Sequence, residues 1–168
     1  SVGAFYQAFV PSLVADQLHT SSALVVGLVF CSYMAPNVAG APISGRFTPA
    51  GAQRVGMATF LTGILTIVTG LIIGSMPVFV VGSLIGGAGQ GIAMSGAVRG
   101  LLHGSDAAER APIFAAIFLI SYGGAAASSL VSGQFSNVVP LVGIAAGYGA
   151  LALITTLIVI RFAQTPKS

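Results

Sequence analysis

No residue with a formal charge lies between Arg54 and Arg99, and none lies between Arg110 and Arg161. A helix crosses a bilayer with about 20 apolar residues, so each of these stretches is long enough to cross twice and must fold back on itself. The fold-back points are legible as Ser75-Met76-Pro77 in the first stretch and Ser136-Asn137 to Pro140 in the second, both of them turn chemistry short enough to join antiparallel helices. Upstream, residues 1–18 and 23–44 are apolar around a polar break at His19-Thr20-Ser21-Ser22. The expectation is an all-α, polytopic membrane protein with six transmembrane helices at about 1–18, 23–44, 55–75, 77–98, 111–135 and 139–160, followed by a tail at 161–168.

Composition agrees. Of the 168 residues, 55% are hydrophobic and 5% charged, against about 25% charged in an ordinary soluble domain. Too little charge is present to coat a globule in water, which excludes soluble enzymes and nucleic-acid modules. The net charge of +3 is spread over single residues and forms no basic patch. Assigning alternate loops to alternate sides collects Arg46, Arg54, Arg99, Arg110, Arg161 and Lys167 on one side. The excess of Lys and Arg in cytoplasmic loops then places that side, and both ends of the chain, in the cytoplasm of a multi-pass cell-membrane protein. Runs such as LTGILTIVTGLIIG and LALITTLIVI lack the alternation of a transmembrane barrel. The first span is short, so the chain is expected to begin inside a hydrophobic helix. Cys31 stands alone, so no intrachain disulfide or thiolate metal cluster can form.

Polar and small residues divide the spans. On the fourth, Gly82, Gly86, Gly89, Ala93, Gly96 and Gly100 recur at helical spacing. A seam of this kind lets another backbone approach closely, which is how helices associate where lipid removes the hydrophobic drive. The next stripe, Ser83, Gly87, Gln90, Met94 and Ala97, puts one amide at mid-membrane, where it needs a partner or a wet cavity. The fifth span carries Ser121, Tyr122, Ala125, Ser128 and Ser132, the first Tyr6 and Gln7, and the second Tyr33 and Asn37. The third and sixth spans hold mainly threonines, whose hydroxyls can bond their own helix. They are expected to face lipid.

Local motifs point to a family. GAGQGIAMSG at 87–96 resembles the fourth-helix pattern R-x-x-Q-G-x-G-a of the major facilitator superfamily, with Gln90-Gly91 in place and Gly87 where the arginine stands. GAPISGRFTPAGAQRVG at 40–56 is similar to that family's helix 2–3 loop signature, keeping Gly45-Arg46 and Gln53-Arg54-Val55-Gly56 but no aspartate. ERAPIFAAIFLISYGGAAASSLVSG resembles helix eleven. The resemblance implies the C-terminal six-helix half of a twelve-helix bundle. It also implies alternating access around a midplane site, with the N-terminal half of the same transporter as partner. Helices seven, eight, ten and eleven, which correspond to the first, second, fourth and fifth spans here, are then expected to line the cavity.

The expected function is transport of a small molecule across the membrane by a secondary transporter, with efflux or export as one direction. Tyr6, Gln7, Tyr33, Asn37, Gln90, Met94, Ser121 and Tyr122 are the cavity candidates. Arg46, Arg54, Arg99 and Arg110, in the cytoplasmic loops, are expected to act as topology determinants at the lipid headgroups, with gating as the lesser reading. No carboxylate occupies the middle of a span, so a proton relay, where protons couple transport, is expected in the other half or elsewhere in the site. No catalytic constellation, metal-ligand spacing, cofactor motif or nucleic-acid patch is present in the sequence, and enzymatic chemistry is not expected. The rival readings are an oligomeric six-helix channel or permease subunit, and a membrane scaffold that transports nothing.

Overall fold

The computed structural model describes residues 23–135 and 141–162. Among the described residues all regular structure is helical: α1 (Ala23–Ser44), α2 (Pro49–Ile72), α3 (Met76–Leu101), α4 (Ala107–Phe135) and α5 (Leu141–Phe162). The expected span 1–18 and the fold-back at 136–140 lie outside these residues. Two helices, Pro49–Ile72 and Met76–Leu101, are long and apolar enough to cross a membrane over their described residues, and α5 contributes a shorter apolar stretch, Gly149–Arg161. That is two of the expected six.

Local chemistry sets the boundaries. Thr48 caps α2 by accepting the Gly51 N–H at 3.1 Å, with Pro49 at the first helical position, where its missing donor costs nothing. The helix thus starts ahead of the expected residue 55 and carries Arg54 within it. The first fold-back is a tight turn in which Gly74 adopts φ 65°, a conformation that side chains with a Cβ resist. The Ser75 N–H reaches back to the Gly70 carbonyl at 2.8 Å. Pro36 and Pro42 are absorbed inside α1. Pro112 lies inside α4 rather than at its start, because the helix begins directly after Asp106, at Ala107.

α3 is the hub. It packs most extensively on α2 and next on α1, and α2 packs on α5 on its other flank. The α2–α3 seam is glycine against backbone: a Cβ on Gly82 would lie 2.6 Å from the Ile67 nitrogen, and one on Gly96 2.7 Å from the Ala52 Cβ. Gly63 abuts Gly86, Gly56 abuts Ala93, and Gly89 abuts Phe60. The fourth-span seam is therefore buried, as its spacing implies, and its partner is the third span. α2 shows lipid-type side chains only on its far face, where Val55, Leu65 and Ile72 are exposed. Its threonines bond their own helix: Thr62 to the Ala58 carbonyl at 3.0 Å, Thr66 to Thr62 at 2.9 Å and Thr69 to Leu65 at 2.9 Å.

α5 runs antiparallel to α2. Gly149 lies against Ile64 and Val68, while the buried Thr156 points its hydroxyl at the Met57 carbonyl, 3.5 Å away, and bonds the Ala152 carbonyl at 2.6 Å. α4 packs substantially on none of the other described helices, and most of its described surface is exposed.

Candidate functional site

The polar centre of the molecule lies where α1 crosses α3. A Cβ on Gly87 or Gly91 would overlap the main-chain carbonyl of Tyr33 or Asn37 respectively, so these two glycines let the α1 backbone rest directly on α3. That approach delivers the Tyr33 side chain, which is fully buried, alongside Gly86. Its hydroxyl donates a hydrogen bond to Oε1 of Gln90. Gln90 stands midway along α3, where an amide without a partner is costly in apolar surroundings. The partner that its position demands is therefore Tyr33. Ser83, fully buried on the same stripe, bonds its own helix at the Phe79 carbonyl, 2.8 Å away.

Beside this pair opens a pocket of about 260 Å³. Gln90, Ala93, Met94 and Ala97 line it from α3, Gln53, Met57 and Phe60 from α2, and Val159 from α5. No formally charged side chain contributes. Gln90 Oε1 is held by Tyr33, and the exposed lining of the pocket is almost wholly apolar.

At the end of α3 nearest the arginines, Arg99 closes the α1–α2 loop. Its Nη2 donates to the Ser44 carbonyl at 2.6 Å, to Ser44 Oγ at 2.9 Å and to the Phe47 carbonyl at 3.1 Å. Ser44 ends α1, so its carbonyl is one of those a helix leaves unsatisfied at its negative pole, and a guanidinium satisfies it with charge as well as a proton. The Arg99 Nε is buried with no partner among the described residues. Arg99 thus binds protein main chain, whereas Arg46 and Arg110 are exposed. Arg54 is also exposed, and it has an interaction of its own.

The remaining candidates separate from this centre. Asn37 is half-buried, and what it presses on α3 is its main chain. Met94 lines the pocket and stays partly exposed. Ser121 and Tyr122 lie exposed on α4, where Tyr122 stacks on Phe118 at 5.9 Å between ring centroids and Phe118 on Phe114 at 6.5 Å. They are not brought to Gln90. Tyr6 and Gln7 lie outside the described residues. The pocket residues Gln53, Met57, Phe60 and Val159 were not among the sequence candidates. The signal for three of them is their spacing on one face of α2, together with Gly56, Gly63 and Gly70 seven residues apart along it. Among the described residues no group of three or more His, Cys, Asp or Glu could hold a metal ion.

No family model, curated protein or solved structure matches the chain. Its function has to be argued from its own residues.

Proposed function

We propose that the chain is the C-terminal six-helix half of a major facilitator transporter and moves a small molecule across the membrane by alternating access with an N-terminal half. The observation that carries this reading is the Tyr33–Gln90 hydrogen bond between α1 and α3, a polar pair midway along an apolar helix. Polar groups at membrane depth are expensive, and they are kept where they face a bundle interior or a substrate path. The two helices it joins are those that the family resemblance places at the cavity. The motif GAGQGIAMSG supplies both halves of the arrangement: glycines that admit the α1 backbone, and the amide that Tyr33 meets. The apolar, unpaired surface of α4 supports the same reading, because a half-bundle keeps one flank for its partner. Substrate recognition then belongs to both halves, and the loop held by Arg99 lies at the cytoplasmic end of the path.

The test is counterflow in proteoliposomes. The full-length carrier, with an N-terminal half, gives saturable uptake accelerated by substrate trapped inside, and Gln90→Leu lowers it at least severalfold. This chain reconstituted alone gives none. Flux through the chain alone, without saturation or counterflow, is the result that favours an oligomeric channel. Full flux in Gln90→Leu and Tyr33→Phe removes the central pair from the mechanism.

A further inference from the structure

We infer that the pocket between α2, α3 and α5 binds a compact, uncharged, apolar bicyclic aromatic molecule. Three features of its lining define that class. The first is size: at about 260 Å³ it exceeds the roughly 150 Å³ cavity that holds a benzene ring, and falls just short of the 300–1,000 Å³ or so of sites for drug-sized ligands. The second is surface chemistry. Met57, Met94 and Phe60 converge on it, and thioether sulfurs and an aromatic ring are the side chains that pack adaptably on the faces and edges of flat rings. The third is polarity. No charged group lines the pocket, so an ion would enter without a counter-charge. The exposed lining is almost wholly apolar and Gln90 Oε1 is already held by Tyr33, so the matching ligand binds through contact area and not through a hydrogen bond.

The site shares Gln90 and Met94 with the transport-cavity candidates but opens on another side of α3. Two of its three walls, α2 and α5, are the third and sixth spans, which the resemblance leaves outside that cavity. The inference stands whether or not the protein is a carrier.

Naphthalene and 2-naphthoate are suitable probes, since they share the bicyclic ring and only 2-naphthoate carries a charge. The chain has four methionines, so methyl-13C-methionine labelling in lipid nanodiscs reads Met34, Met57, Met76 and Met94 separately. Naphthalene is expected to shift Met57 and Met94 saturably while Met34 and Met76 stay in place, and 2-naphthoate to bind at least tenfold more weakly, because its charge would enter without a counter-charge. Ala97→Phe fills the pocket from α3 and abolishes naphthalene binding, and Val159→Phe does the same from α5, so two independent walls report. Each variant is accepted only when its four methyl signals remain dispersed without ligand. Shifts that rise linearly with probe at all four methionines, or that survive both filling variants in folded protein, overturn the inference, as does equal affinity for the two probes in the unmodified chain.

Discussion

Single side chains in this molecule matter by where their hydrogen bonds go. Tyr33→Phe keeps the ring that fills the space beside Gly86 and deletes the hydroxyl that donates to Gln90. Interhelical hydrogen bonds in membrane bundles average about 0.6 kcal/mol and reach about 1.7, so we expect a loss of about 1 kcal/mol in a denaturation assay. The double variant with Gln90→Leu should cost less than the two single losses summed, because either change alone already breaks the bond. Strict additivity would mean that the pair carries no coupling. Arg99 gives a second residue-level prediction. All three bonds to the loop leave from Nη2, so Arg99→Met, which keeps the apolar stem and removes the donor, should leave the Ser44 and Phe47 carbonyls poorly satisfied. The expected outcome is faster amide hydrogen exchange across residues 45–48 with the exchange of mid-α3 unchanged, and protection equal to that of the unmodified chain would show that the clamp is not needed. The sequence placed Gln90 correctly as an amide in need of a partner, because depth in an apolar span is visible in one dimension. It placed Arg99 at the lipid headgroups, because the acceptors that claim it lie on a loop far away along the chain, and nothing local announces them.

At the level of helices, the glycines fall into two groups that look alike in the sequence and differ in space. A Cβ on Gly63 would overlap the Gly86 backbone, while one on Gly27 or Gly123 would meet nothing within 4 Å. Gly63→Ala should therefore force α2 and α3 apart and destabilise by about 1–3 kcal/mol, the cost of overpacking a close contact. Gly27→Ala should be neutral or stabilising by up to about 1 kcal/mol, since alanine gives up less backbone entropy in a helix. Thermal midpoints of the two variants, measured in the same lipid, should move in opposite directions or differ by that margin. Both moving down equally would mean that the seam does not set the helix spacing. The seam was legible because Gly82, Gly86, Gly89, Ala93, Gly96 and Gly100 keep step with the helical turn. Its partner was not, since the threonines of α2 drew the eye to lipid while Gly56, Gly63 and Gly70 repeat every seven residues on the opposite face. One helix can be peripheral on one side and tightly packed on the other, and a count of polar groups does not separate the two sides. The aromatic run Phe114, Phe118 and Tyr122 was similarly hard to assign: its spacing makes a stripe, but whether a stripe is covered depends on elements elsewhere.

The arrangement of the whole molecule follows from which helix ends meet. Arg99, near the end of α3, holds the loop after Ser44, so the C-termini of α1 and α3 lie together with Arg46 and the start of α2. α5 lies antiparallel to α2, with Thr156 and Val159 near Met57 and Gln53, which brings Arg161 to that same end. Arg110 follows within the first turns of α4, a few residues beyond α3. The opposite end of the α2–α3 hairpin is the uncharged turn at Gly74 and Ser75. The described arginines thus gather at one end of the bundle, as the alternate-loop assignment expects. In a membrane, positive residues at one end of an apolar bundle would hold that end in the cytoplasm. With Cys31→Ser as background, a cysteine at Ser75 should react with a membrane-impermeant maleimide on intact cells, and a cysteine at His103, which is exposed beside Arg99, should react only after permeabilisation. The reverse pattern would turn the molecule over. Reaction at both sites in intact cells would mean that the α2–α3 hairpin does not cross the bilayer at all, and the transport reading would fall with it, while the glycine seam and the Tyr33–Gln90 pair would need an explanation in water.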